Sequence, residues 1–190
     1  VPGTTFFGPG TLARDIAAQE STRAALRCID RGEGYRPIGH VLDERAFVNG
    51  LVGLMATGGS TNLTLHIIAM AAAGGIRLTW DDMNDISDVT PLLAKVYPNG
   101  SADVNAMEAA GGLPFLIDQL RGAGFLHADA LTITENGLND YGQVAKIATP
   151  DTLSFEPAPA ESLMPEVLTT PDKPFQPNGG LKVLTGNLGR

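Results

Sequence analysis

Apolar positions recur at helical spacing through the stretch LMATGGSTNLTLHIIAMAAAGG, residues 54–75, where Leu63, Ile67, Met70 and Ala71 share one face. Ser60 stands where its hydroxyl can cap the first turn, and Gly74 where a left-handed residue can end the helix. Upstream, Thr11 is placed to cap a helix over 12–31, with Leu12, Ile16, Ala24, Cys28 and Ile29 among its apolar positions and Gly32 and Gly34 closing it. Arg36-Pro37-Ile38 reads as extended, because a residue before proline avoids the helical region. Asp43 then caps a helix from Glu44 to Ala56 with Phe47, Leu51 and Leu54 as its buried stripe.

Beyond the central stretch, Ile76–Leu78 reads as a short strand and Thr79 as the cap of an acidic helix, WDDMNDIS. Pro91–Pro98 reads as a strand, Asn99-Gly100 as a turn, and Ser101 as the cap of a helix that ends at Gly111-Gly112. Pro114 belongs in the first turn of a helix over 113–122, with Phe115, Leu116 and Leu120 inward. Leu131–Thr134 and Leu181–Thr185 read as strands. Between them, prolines at 150, 157, 159, 165, 171, 174 and 177 suggest an extended linker or an arm crossing the surface. Helices alternating with short strands predict an α/β domain with a largely parallel sheet.

Composition narrows the function. The 190 residues are 43% hydrophobic and 18% charged, as in a soluble globular protein. A net charge of −8 argues against nucleic acid, whose phosphates call for clustered Lys and Arg. No apolar run is long enough to span a membrane. One cysteine, Cys28, excludes an internal disulfide and cannot alone hold an iron–sulfur cluster or structural zinc, so it reads as a packed small hydrophobe and the cytoplasm is the expected compartment. The chain opens Val-Pro-Gly without an initiator methionine, which predicts further chain upstream.

The chemistry available is sparse. Asp81, Asp82, Asp85 and Asp88 lack the glycine and final glutamate of a calcium loop and read as a solvated helix start. His40, His66 and His127 form no pair at metal-ligand spacing. His66 shares a helix face with Asn62, either as a core histidine or as a ligand contact. Ser60, Thr61 and Asn62 can cap the helix or donate to a phosphate or carboxylate, since a helix start carries amide donors and a partial positive charge. Lys182 and Asn187 read as strand-surface and turn residues.

Four segments, in order, carry a resemblance that goes further: FVNGLVGLMATGGSTNLTLHIIAMAAAGGI, LTWDDMNDISDVTPLLAKVYPNGSADVNAMEAAGGLPFLIDQL, GFLHADALTI and KPFQPNGGLKVLTGNLGR. They resemble the dihydroxyacid/6-phosphogluconate dehydratase family. Gly58 to Asn62, Leu65-His66, the Gly-Gly-Leu-Pro at 111–114 and Gly186-Asn187-Leu188 are shared with its dihydroxyacid branch; WDDMNDISDV, YPNGSADVN and PFQPNGGLKVL favour the sugar-acid branch.

The resemblance implies elimination of water from a 2,3-dihydroxy acid, here 6-phosphogluconate of the Entner–Doudoroff pathway. It implies an iron–sulfur cluster as Lewis acid and a divalent cation at the carboxylate end, in a cytoplasmic homodimer acting on a small anionic sugar acid. Cluster ligands are expected upstream of Val1 and the proton-abstracting serine beyond Arg190; Cys28 matches no cluster position. Hence the chain is expected to be an internal piece, inactive alone, with no catalytic residue or metal ligand of its own. Residues 1–148 would be the later part of an N-terminal α/β domain, 149–178 a Pro-rich linker, and 179–190 the start of a C-terminal β domain. Ser60, Thr61, Asn62 and His66 are the expected substrate-binding residues. The competing expectations are dihydroxyacid dehydratase, another sugar-acid dehydratase, or a non-catalytic binding domain.

Overall fold

Local capping chemistry sets the helices. The computed structural model describes residues 1–29, 31–32 and 34–187. Helix α1 (Leu12–Ile29) starts where the Arg14 N–H donates to the Thr11 hydroxyl at 3.3 Å. Only Ile16 and Ala17 of it are buried, and Leu12 and Ile29 face outward. The expected extension to residue 31 passes through Asp30, outside the described residues. Pro37 is extended, but Ile38 already opens a single helical turn, α2 (Ile38–Val41).

Helix α3 (Glu44–Thr57) begins at Asp43, which accepts the Ala46 N–H at 2.9 Å, and ends on left-handed Gly58. Helix α4 (Thr61–Ala73) follows after a three-residue corner. The sequence places a left-handed residue at Gly74, but Gly74 has φ −81° and that conformation falls one residue later, on Gly75. Helix α5 (Trp80–Val89) carries a reciprocal capping box between Thr79 and Asp82. Helix α6 (Val104–Ala109) is capped by Asp103, not Ser101: both residue types cap, and the Asp103 carboxylate reaches the Ala106 N–H at 2.9 Å. Helix α7 (Gly112–Gly122) closes the series.

The sheet differs from expectation. The one ladder among the described residues is antiparallel, pairing β1 (Gln143–Thr149) with β2 (Thr152–Pro157) through the Thr-Pro-Asp-Thr turn. Ile76–Leu78, Leu131–Thr134 and Leu181–Thr185 form no strand. Residues 91–96 are extended but make only isolated bridges: Leu92 with Gln176, Ala94 with Leu168, and Val96 with Ala102. The reason is chemical. The first two partners lie in the Pro-rich stretch, whose prolines have no N–H to extend a ladder.

That stretch is more than a tether. It holds β2, and its Val167, Leu168 and Thr169 are buried. Backbone bonds seat it at 2.8–3.0 Å: Lys95 N–H to Val167 O, Thr169 N–H to Leu93 O, Phe175 N–H to Leu92 O and Leu92 N–H to Gln176 O.

Two apolar clusters result. One gathers Leu93, Phe115, Leu116, Leu120 and Leu168; the other gathers Phe47, Leu51, Met55, Ile67 and Met83. Helix α3 serves both, with Val52 and Ala56 in the first and Leu51 and Leu54 in the second. Burying each large side chain removes apolar area from water, a gain of about 1.5–3 kcal/mol apiece.

Candidate functional site

The corner between α3 and α4 creates the most promising polar wall. Left-handed Gly58 ends α3, and the Gly59 N–H donates back to Leu54 O at 3.2 Å. The chain can therefore reverse within three residues. Ser60, extended at φ −79° and ψ 126°, caps α4 by accepting the Asn62 N–H at 3.2 Å. The Ser60 carbonyl accepts the Leu63 N–H at 3.0 Å. Two first-turn amides that sequence reasoning left bare are thus occupied within the turn. What remains at this end is the positive pole of a 13-residue helix and the Thr61 and Thr64 side chains.

A cavity of about 190 Å³ opens beside this wall. Thr61, Thr64, Trp80 and Lys182 line it together with Met55, Met83, Leu181 and Val183. The Thr64 hydroxyl donates to Thr61 O at 2.6 Å. The Lys182 ammonium pairs with Asp88 near the end of α5. Segment 181–183 is held by Gly180 N–H donating to Met55 O (2.9 Å), Gly179 N–H donating to Ser87 O (2.7 Å), and the Ser87 hydroxyl donating to Leu181 O.

Of the four expected binding residues, Thr61 lines the cavity and Ser60 caps the helix behind it. Asn62 and His66 are exposed, and neither belongs to the cavity wall. Sequence reasoning did not single out Thr64 or Trp80 and read Lys182 as a strand-surface residue. A single cation just after a Gly-Gly pair was the available signal for Lys182, but its neighbours across the cavity are set by distant contacts. Leu188, the third residue of the Gly-Asn-Leu motif, lies outside the described residues.

A second cavity, of about 160 Å³, lies between residues 1–6, α6 and α7. Glu108 and Tyr141 are its ionisable walls, and burial pushes both pKa values up. A carboxylate in the wall opposes an anion, so this cavity is the poorer match for an acidic ligand. The histidines are dispersed, His40 on α2, His66 on α4 and His127 in the loop after α7. Among the described residues no three His, Cys, Asp or Glu side chains converge as a metal site. Cys28 donates weakly to Ile133 O at 3.8 Å, and one thiol does not fit a cluster. Among the described residues, no helix is long and apolar enough to cross a membrane.

Comparison with known proteins complements this geometry. Residues 1–141 match the family model described as dihydroxy-acid/6-phosphogluconate dehydratase N-terminal. The whole chain is 51% identical to a phosphogluconate dehydratase of Rhizobium meliloti and 44% identical to one of Escherichia coli K12, covering 31% of each. Over 90% of the chain, identity to a dihydroxy-acid dehydratase of Haloarcula marismortui is 32%, covering 28% of that protein. The chain therefore spans about a third of the length of these relatives.

Proposed function

Because the chain belongs to the dihydroxy-acid/6-phosphogluconate dehydratase family, we propose that it is part of a hydro-lyase that removes water from 6-phosphogluconate. The names of the phosphogluconate dehydratase relatives support the sugar-acid branch, and the weaker match to a dihydroxy-acid dehydratase ranks that substrate second. The observation that carries the site is the cavity lined both by the α4 start, at Thr61 and Thr64, and by Lys182.

In this reading the Lys182 ammonium, the α4 dipole and the Thr61 hydroxyl bind and orient an anionic end of the substrate. Ser60 keeps the helix start in place. Asn62 and His66, exposed on the same helix, would meet substrate only from outside this cavity. The family's iron–sulfur cluster and divalent cation find no ligand set among the described residues. The reactive centre would come from elsewhere in a longer polypeptide, so the 190 residues alone should turn over no substrate. A cytoplasmic homodimer completes the proposal.

The test is kinetic, on the full-length enzyme with 6-phosphogluconate and a branched dihydroxy acid as competing substrates. Lys182→Met should raise KM for 6-phosphogluconate about tenfold or more, the value of a hydrogen bond to a charged group. Asn62→Ala should change KM less. Preference for the branched acid would move the assignment to the other branch. Unchanged KM in Lys182→Met would remove the cavity from the site.

A further inference from the structure

Two glycine turns cross behind this cavity, and one amide side chain joins them. Gly58, three residues before Thr61, passes against Gly180, two residues before Lys182. A Cβ on Gly180 would collide with Gly58 Cα and with the Asn99 amide; a Cβ on Gly58 would meet the same amide and come within 3.2 Å of Gly180 Cα. Only glycine on both strands permits this approach. The Asn99 Nδ2 donates to Gly58 O at 3.1 Å and to Gly180 O at 3.4 Å. Asn99 is itself held, its own N–H donating to Val96 O at 2.9 Å, in the turn after the bridged segment 92–96.

We infer that Asn99 is a positioning residue, which fixes the spacing between the α4 start and Lys182 by spanning the Gly58 and Gly180 carbonyls. The inference rests on the proposed role of the cavity. Thr61 and Lys182 come from chain segments far apart in sequence, and each follows one of the two crossed glycines almost at once. A shift at the crossing therefore passes directly to both walls. Asn99 does not line the cavity and touches no ligand in this account. Its two amide protons match the two carbonyls they reach.

The experiment uses the full-length enzyme and four forms: wild type, Asn99→Ala, Lys182→Met and the double variant. Asn99→Ala should raise KM for 6-phosphogluconate about tenfold, with a smaller change in kcat. The double variant should resemble Lys182→Met, because both changes spoil the same contact. Gly180→Ala, which pushes the crossing apart and displaces the Asn99 amide, should reproduce the KM rise. A lowered melting temperature with unchanged KM, or fully additive effects, would overturn the positioning role. Should Asn99→Ala fail to fold, Asn99→Ser gives the same readouts. Should wild type show no turnover, the functional reading fails, and hydrogen exchange judges Asn99 separately. Peptides over 58–64 and 180–185 should then exchange faster in Asn99→Ser, with β1 and β2 unchanged, and equal rates would overturn the inference.

Discussion

Helices α4 and α7 are of similar length, and they use their apolar residues in opposite ways. Helix α7 buries Pro114, Phe115, Leu116 and Leu120, and turns Asp118 and Arg121 outward, where they pair at 2.6 Å. Its hydrophobic stripe and its buried face coincide. Helix α4 carries no charged residue, yet it buries only Ile67 and Ala71. Leu65 is 62% exposed and Met70 48%. An amphipathic sequence reports its own environment; an apolar helix without a polar face does not. In α4 the number of apolar residues therefore says little about stability, and the contacts decide.

The comparison breaks most visibly at Phe115, which is fully buried at the junction of α7 with the arm. Phe115→Ala should cost about 3–5 kcal/mol, by lost transfer energy and the cavity left behind. Urea unfolding of the chain measures it, and a cost under about 1 kcal/mol would mean that this cluster is looser than its burial indicates. Within α4 the contrast sharpens between neighbours. Ile67→Ala should cost about 2–4 kcal/mol, whereas Leu65→Ala should stay within about 0.5 kcal/mol of zero. Equal costs at the two positions would show that the outer face of α4 is covered in solution.

The same contrast marks what was legible in the sequence. Helices α3, α5 and α7 were readable because Asp43, Thr79 and Pro114 announce their starts locally. The Ser60 cap was readable for the same reason. Segment 91–96 looked like a strand, but Leu92 and Ala94 bridge to the Pro-rich arm, a pairing that no local pattern encodes. The β1–β2 hairpin was hidden by the proline in its turn, although β-branched residues flank that turn on both sides. At the site, the polar helix start was visible. The approach of Lys182 was not, because the Gly58–Gly180 crossing that brings it there joins distant parts of the chain.

Helix α5 packs on α3 beside α4 and contributes Met83 to the same cluster, but its start is fixed locally. Thr79→Ala should cost about 1 kcal/mol, read as a lower urea midpoint. The pH dependence follows from its partner. The Thr79 hydroxyl and N–H hold the Asp82 pKa below its ordinary 3.8. Stability from this pair is fully present above that ordinary value and is lost as pH falls through the lower folded value. Wild type should therefore lose more stability than Asp82→Asn on acidification through this range. Parallel acid titrations would detach the capping box from α5 stability.

The smallest effect belongs to the α6–α7 side and has the opposite sign. Glu108 is half-buried on α6, and burial alone raises its pKa above the ordinary 4.5. A carboxylate with a raised folded pKa binds its proton more tightly in the native state than in the unfolded one. Stability therefore falls as pH rises from the unfolded to the folded value, and stays lower above it. Glu108→Gln keeps the shape and removes the charge, so it should raise the melting temperature at pH 7. That gain should vanish below the ordinary carboxylate range, where both forms are neutral. A charge that solvent reaches freely would give no gain at either pH. The outcome at Glu108 thus separates a closed α6–α7 pocket from an open one, as the pair at Leu65 and Ile67 does for α4.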